Sequence, residues 1–143
     1  MSTGIHGYYF EELEPGMSAE FAKTVTEADV VGFAGISGDF NPVHVNEEFA
    51  QTTMFKGRIA HGMLSVAFIS TVLGTKLPGP GCVYVTQNLK FKAPVRIGDT
   101  VTARVEVVST LPEKKFVTLK TSCSVAGKLV VDGEATLMVP SKA

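Results

Sequence analysis

Between Ser37 and His44 the chain reads Ser-Gly-Asp-Phe-Asn-Pro-Val-His, which sets a carboxylate (Asp39), an amide (Asn41) and an imidazole (His44) within six residues. A carboxylate and an imidazole held close together can move a proton to and from a bound molecule near neutral pH, the work of a general acid–base pair. Gly38 and Pro42 disfavour regular structure, so these groups are expected on a loop, where a rigid scaffold commonly presents catalytic side chains. The same residues also make an ordinary turn, in which Asp and Asn bond their own backbone, and spacing alone leaves both uses open. Asp39, His44 and His61 match no standard ligand spacing, so no metal is expected.

A second chemical feature lies at the head of the run from Ile59 to Leu73, which is apolar on nearly every face and predicts a helix buried almost all round, with Gly74 and Pro78 marking its end. The first turn of such a helix carries N–H groups without intrahelical partners, at the positive end of the dipole. Gly62 falls there. Without a side chain it would let a substrate carbonyl approach its N–H closely, as stabilising an enolate or oxyanion requires. The competing reading is that Gly62 only lets the helix pack against a strand. Ser70, eight residues beyond Gly62, is expected on roughly the same face, either bonding back to its own helix or serving the site. The run is shorter than the ~20 apolar residues of a membrane span.

The elements that must position these groups are legible in outline. Thr26 with Asp29 resembles a capping box, and Val30, Phe33 and Ala34 at helical spacing predict a short helix that ends at Gly38 and delivers the chain into Asp39. Asn46 is a good N-cap for a second short helix over 47–53, followed by a basic loop over 54–58. A weakly patterned strand is expected over 17–25, and residues 1–10 read as a mobile tail. Beyond Pro78-Gly79-Pro80-Gly81 the period changes to two, predicting strands over 83–91, 101–107, 117–125 and 129–139, the last interrupted at Asp132-Gly133. Short turns between them imply a mainly antiparallel sheet. One long apolar helix and one curled sheet share a core if the sheet wraps the helix, so the chain is expected to form a single α+β domain over 1–143. Its outer strand edges invite pairing in a symmetric dimer.

Composition narrows the partners. Lys plus Arg number 13 against 14 for Asp plus Glu, a balance that leaves no basic footprint for nucleic acid and points to a small molecule or a second copy of the chain. Cys82 and Cys123 lack any C-x-x-C spacing and read as reduced core thiols. The N-terminus lacks a basic segment followed by an apolar one, so no signal peptide is expected and the location is expected to be cytoplasmic, away from membranes. No dinucleotide or P-loop glycine pattern is present, and no nicotinamide or flavin is expected.

The run at 37–44, followed by Arg-Ile-Ala-His-Gly-Met-Leu-Ser at 58–65, resembles the signature of the MaoC-like, or hydratase 2, family of (R)-specific enoyl-CoA hydratases, and most closely the short stand-alone bacterial members that feed polyhydroxyalkanoate synthesis. The similarity continues through Leu-Pro-Gly-Pro-Gly (77–81), Val-Tyr-Val-Thr-Gln-Asn-Leu-Lys-Phe (83–91) and Pro-Val-Arg-Ile-Gly-Asp (94–99), and so covers most of the chain. The resemblance implies a hot-dog fold, a homodimer that binds acyl-CoA near the subunit interface, and reversible hydration of trans-2-enoyl-CoA to (R)-3-hydroxyacyl-CoA, with coenzyme A entering only as part of the substrate. It places the family's catalytic Asp and His on Asp39 and His44, its supporting Asn on Asn41, its carbonyl-polarising glycine on Gly62, and on Ser70 a serine that some short members use to orient the Asp. Two segments are then expected to meet, 39–44 for proton transfer and 61–62 for charge stabilisation. The nearest alternative reading is a dehydratase acting on carrier-protein thioesters. A thioesterase explains the Asp39–His44 cluster less well, and a non-catalytic acyl-thioester binder would leave it without use.

Overall fold

The computed structural model describes residues 5–142. After a short 3-10 turn at Phe10–Glu12, the elements run β1 (Ser18–Thr24), α1 (Glu27–Ser37), α2 (Pro42–Val45), α3 (Glu47–Ala50), α4 (Gly62–Thr75), β2 (Val83–Phe91), β3 (Thr100–Leu111), β4 (Phe116–Val125) and β5 (Lys128–Met138). The strands form one five-stranded sheet in the order β1-β3-β4-β5-β2, with every neighbouring pair antiparallel. Strands β3, β4 and β5 are a meander closed by tight turns. β2 lies beyond β5, so residues 92–99 carry the chain from one side of the sheet to the other.

Alternation decides which face is buried. Val101, Ala103, Val105 and Val107 of β3, with Val117, Leu119 and Cys123 of β4, are at most 1% exposed, and they face the equally buried Ile69, Val72 and Leu73 of α4. The sheet thus wraps α4 and shares one core with it, the hot-dog arrangement. The capping box forms as the sequence predicts: Thr26 Oγ1 accepts from Asp29 N–H at 3.1 Å and Asp29 Oδ2 from Thr26 N–H at 2.9 Å. Gly38 ends α1 in the left-handed region, at φ 82°. Both cysteines are free thiols. Burial pushes the Cys123 thiol up to about 12, so it stays protonated, and it donates to Ser65 O.

Several boundaries differ from expectation, each for a local reason. α4 begins at Gly62 rather than Ile59, because Ile59 N–H is drawn to Val43 O and Ala60 N–H to Val95 O. Nor is α4 buried all round: Met63, Ala67, Ser70 and Gly74 leave one exposed stripe along it. The helix expected over 47–53 stops at Ala50. Residues before Phe10 are not a free tail from Gly7 onward, since Gly7, Tyr8 and Phe10 N–H groups donate to Pro80, Pro78 and Pro140 carbonyls at 2.8–2.9 Å; residues 1–4 lie outside the described residues. β5 runs through Asp132-Gly133 without a break. Gly133 is there for close approach: a Cβ on it would lie 1.9 Å from Asn88 O of β2.

That contact yields a stability test. Gly133→Ala is expected to lower the unfolding free energy by about 1–3 kcal/mol in urea, by forcing β2 away from β5. Gly32→Ala in α1, where an added Cβ meets nothing within 4 Å, is expected to be neutral or slightly stabilising.

Candidate active site

Short polar side chains between α1 and α2 build the turn that carries the proton-handling groups. Ser37 Oγ donates to Phe33 O at 2.6 Å and accepts from Asp39 N–H at 3.1 Å. Asp39 Oδ1 accepts from Asn41 N–H at 3.2 Å, and Asn41 Oδ1 accepts from Val43 N–H at 3.1 Å. Asn41 is therefore the N-cap of α2, with Pro42 in the first helical position, where its missing N–H costs nothing. Asn41 is exposed and does not line the cavity described below; in the structure it shapes the turn that presents His44.

His44 is buried, and its Nδ1 lies 2.8 Å from Ile59 O. A carbonyl only accepts, so Nδ1 carries the hydrogen and the Nε2 lone pair is left for chemistry. Burial, reinforced by neighbouring His61, pulls the His44 pKa below its ordinary 6.5 against the bond to Ile59 O and the Asp39 carboxylate, and so favours the neutral, proton-accepting ring. The segment bearing His44 is tied down from behind. Arg58 Nε–H donates to His44 O at 2.6 Å, while its two terminal nitrogens grip the Glu27 carboxylate of α1 at 2.7 and 2.9 Å. Arg58 and Arg96 thus spend their guanidinium groups on the fold, Arg96 on the carbonyls of Phe55 and Arg58. The motif around Arg58 was legible, but no sequence signal distinguished this role from that of a solvated charge.

His44 and Gly62 line one cavity of about 370 Å³, whose other walls include Ser65, Phe91, Val95 and Val131. Gly62 is the first residue of α4, so its N–H has no intrahelical carbonyl to meet. The close-packing reading also holds, since a Cβ on Gly62 would lie 2.6 Å from two carbons of the Phe91 ring. Among the lining residues Lys92 alone is charged, and it is exposed. Asp39 is exposed and stands beside the cavity rather than in its wall, with a carboxylate oxygen within 4.8 Å of the His44 and His61 ring nitrogens. Ser70 is not brought to this site within the chain: it lies in a separate groove with Phe33, Met63, Tyr84 and Leu89. Eight residues are more than two helical turns, and the excess of about 80° carries Ser70 off the Gly62 face. Ser65, three residues after Gly62, is the serine that reaches the cavity, and its apolar surroundings in the sequence gave no sign of it.

Asp39, His44 and His61 are close enough to suggest a metal, yet the donor set does not fit one. The two imidazoles stack with centroids 3.9 Å apart and planes 28° from parallel. Stacked rings hold their lone pairs side by side, whereas a tetrahedral ion about 2.0–2.1 Å from each nitrogen needs them to converge. The described residues thus bring a carboxylate and an imidazole together beside an apolar cavity that the first residue of α4 also lines.

Known proteins share this architecture. The MaoC like domain family matches residues 11–132. An (R)-specific enoyl-CoA hydratase of Rhodospirillum rubrum is 66% identical over 135 residues, covering 94% of each chain. A 3-hydroxybutyryl-CoA dehydratase of Methylorubrum extorquens is 52% identical over 94% of this chain and 85% of its own. Among solved structures, an (R)-hydratase from A. caviae involved in PHA biosynthesis superposes with a TM-score of 0.87 at 44% identity, covering 91% of this chain and 99% of that one. With the family match extending from the first turn to the last strand, and relatives above half identity over nearly the full length, the chain belongs to the MaoC-like family.

Proposed function

We propose that this protein is an (R)-specific enoyl-CoA hydratase, a hydro-lyase that adds water reversibly to trans-2-enoyl-CoA to give (R)-3-hydroxyacyl-CoA. The observation that carries the reading is the neutral, anchored His44 sharing one apolar cavity with Gly62, with the Asp39 carboxylate beside it. The thioester oxygen accepts from the Gly62 N–H, which draws electron density from C3 and steadies the enolate-like charge. Asp39 and His44 hold one water between them. Its oxygen adds to C3 as one O–H bond breaks, and the proton released is the one C2 receives, so the pair ends the cycle in the protonation state in which it began. Asn41 acts through the turn that sets Asp39 against His44. The apolar walls exclude other water from the enolate. No metal or redox cofactor takes part, and coenzyme A is carried by the substrate. A cytoplasmic setting suits two free thiols, and no described helix is long and apolar enough to cross a membrane. The A. caviae hydratase serves PHA biosynthesis, and supply of (R)-3-hydroxyacyl units to a polyester fits the product made here.

The active form is a homodimer in this reading. β2 is an edge strand with exposed Val83, Tyr84 and Val85, Tyr84 shares a groove with Met63, Ala67 and Ser70 of the exposed stripe of α4, and an unpaired apolar edge is best covered by the same edge of a second copy. Exposed Phe40, next to Asp39, adds to the surface a partner would bury.

Four measurements test these statements. Asp39→Asn is expected to lower crotonyl-CoA hydration, followed as loss of enoyl absorbance, by ~10²–10⁴-fold with an unchanged thermal midpoint; near-normal turnover would remove Asp39 from the mechanism. A depressed His44 pKa keeps the ring neutral below pH 6.5, so the acid limb of kcat/KM that reports His44 is expected to have its midpoint below that value. The same shift sets the sign for stability: the unfolded chain binds this proton more readily, so His44's contribution is complete above about pH 6.5 and is lost as the pH falls from there towards the folded value. Finally, light scattering should give twice the chain mass, and Val85→Arg should shift the protein towards monomer.

A further inference from the structure

His61 is 2% exposed, and its two ring nitrogens are treated very differently. Nε2 lies 2.9 Å from the backbone carbonyl of Asp39, which can only accept, so Nε2 carries the hydrogen. Nδ1 makes no hydrogen bond, and among the described residues it is the one buried side-chain nitrogen or oxygen without a partner. Burying an unsatisfied ring nitrogen is unfavourable, and an apolar side chain would fill the same space without that penalty. Something the imidazole does must offset it. One ring face stacks on His44 at 3.9 Å, and the Phe33 ring of α1 lies 4.9 Å away. Along the chain His61 is the N-cap residue of α4, immediately before Gly62, yet its side chain makes no capping bond. The imidazole is turned away from its own helix towards the Asp39 turn. One residue is therefore linked to Asp39 by a hydrogen bond, to His44 by a ring stack and to Gly62 by the peptide bond between them.

We propose that His61 is a positioning residue for the hydration: its Nε2–H holds the Asp39 carbonyl, and its ring face fixes the plane of His44, so that carboxylate, imidazole and Gly62 N–H keep one spacing. The proposal rests on the hydratase reading above. His61 touches neither water nor thioester in this role. It acts through the groups that do, and displacing such groups by about 1 Å is enough to cost ~10²-fold in rate.

Two amides of different reach separate positioning from packing. His61→Gln places an amide N–H near the Nε2 position, within range of Asp39 O, whereas His61→Asn reaches only the Nδ1 level. With crotonyl-CoA, Asn is expected to lower kcat by ~10²-fold at an unchanged KM, and Gln to recover at least tenfold of that loss, with both thermal midpoints alike. An Asn variant within threefold of the unsubstituted enzyme overturns the proposal, as does a Gln variant no better than Asn. Unsubstituted protein that leaves crotonyl-CoA and longer enoyl-CoAs unhydrated overturns the hydratase reading itself, and the proposal with it. Should either variant fail to fold, long-range 15N–1H correlation on the unsubstituted protein decides. The Nε2–H tautomer at neutral pH supports the proposal, and an Nδ1–H tautomer or a protonated His61 ring overturns it.

Discussion

The site depends on the burial of α4 in the curve of the sheet. Ile69, Val72 and Leu73 are at most 1% exposed and hold the helix against β3 and β4. At roughly 1.5–3 kcal/mol for each large aliphatic side chain taken out of water, this packing outweighs any single polar contact nearby. Buried residues run along the helix from Leu64 to Leu73, and its first residues, Gly62 and Met63, stay exposed at the edge of the core. Gly62 therefore lines the cavity as a consequence of where Ile69 and Leu73 must go. The placing of the Gly62 N–H is in this sense a by-product of the hydrophobic core.

The segment bearing Asp39 and His44 is positioned by a different force. α2 has four residues, too few to be stable alone, and its place is set by polar anchors: the Asn41 cap, the His44 Nδ1–H bond to Ile59 O, and Arg58 drawing on both His44 O and Glu27. The Arg58–Glu27 pair alone would count for little, since Glu27 is 60% exposed. Arg58 matters because the same guanidinium also satisfies the His44 carbonyl, and so links α1, α2 and the approach to α4. Segment 58–62 is thus shared by both halves of the site. Ile59 supplies the carbonyl for His44, Ala60 ties to Val95 O, and Gly62 opens the helix.

How much of this the sequence revealed depends on whether the cause was local. The capping box at Thr26–Asp29, the stop at Gly38 and the alternation of β3 and β4 are decided within a few residues and were readable. The start of α4 was not, because Ile59 and Ala60 are as apolar as the helix and are kept out of it by Val43 O and Val95 O, which belong to distant segments. Gly133 looked like a strand break because its reason lies across the sheet, at Asn88 O. Among site residues, Asp39, His44 and Gly62 stood out by type and spacing. Ser65 and Arg58 did not, since one hides in an apolar run and the other resembles any surface charge. Ser70 entered through the family resemblance, and within one chain it faces a separate groove with Phe33 and Tyr84.

The stack of His44 on His61 joins these two kinds of order. Burial opposes the protonation of His44, and the second imidazole beside it acts in the same direction. An enzyme that adds water gains from an imidazole that stays unprotonated while resting and is flanked by a carboxylate able to steady the proton in transit. A solvated loop could hold Asp39 and His44 at similar spacing, but its imidazole would stay close to the ordinary histidine range. By stacking His44 on a second ring that is itself tied to the Asp39 carbonyl, the fold couples the spacing of Asp39 and His44 to the environment that keeps the His44 ring neutral. A displacement of either group would disturb both.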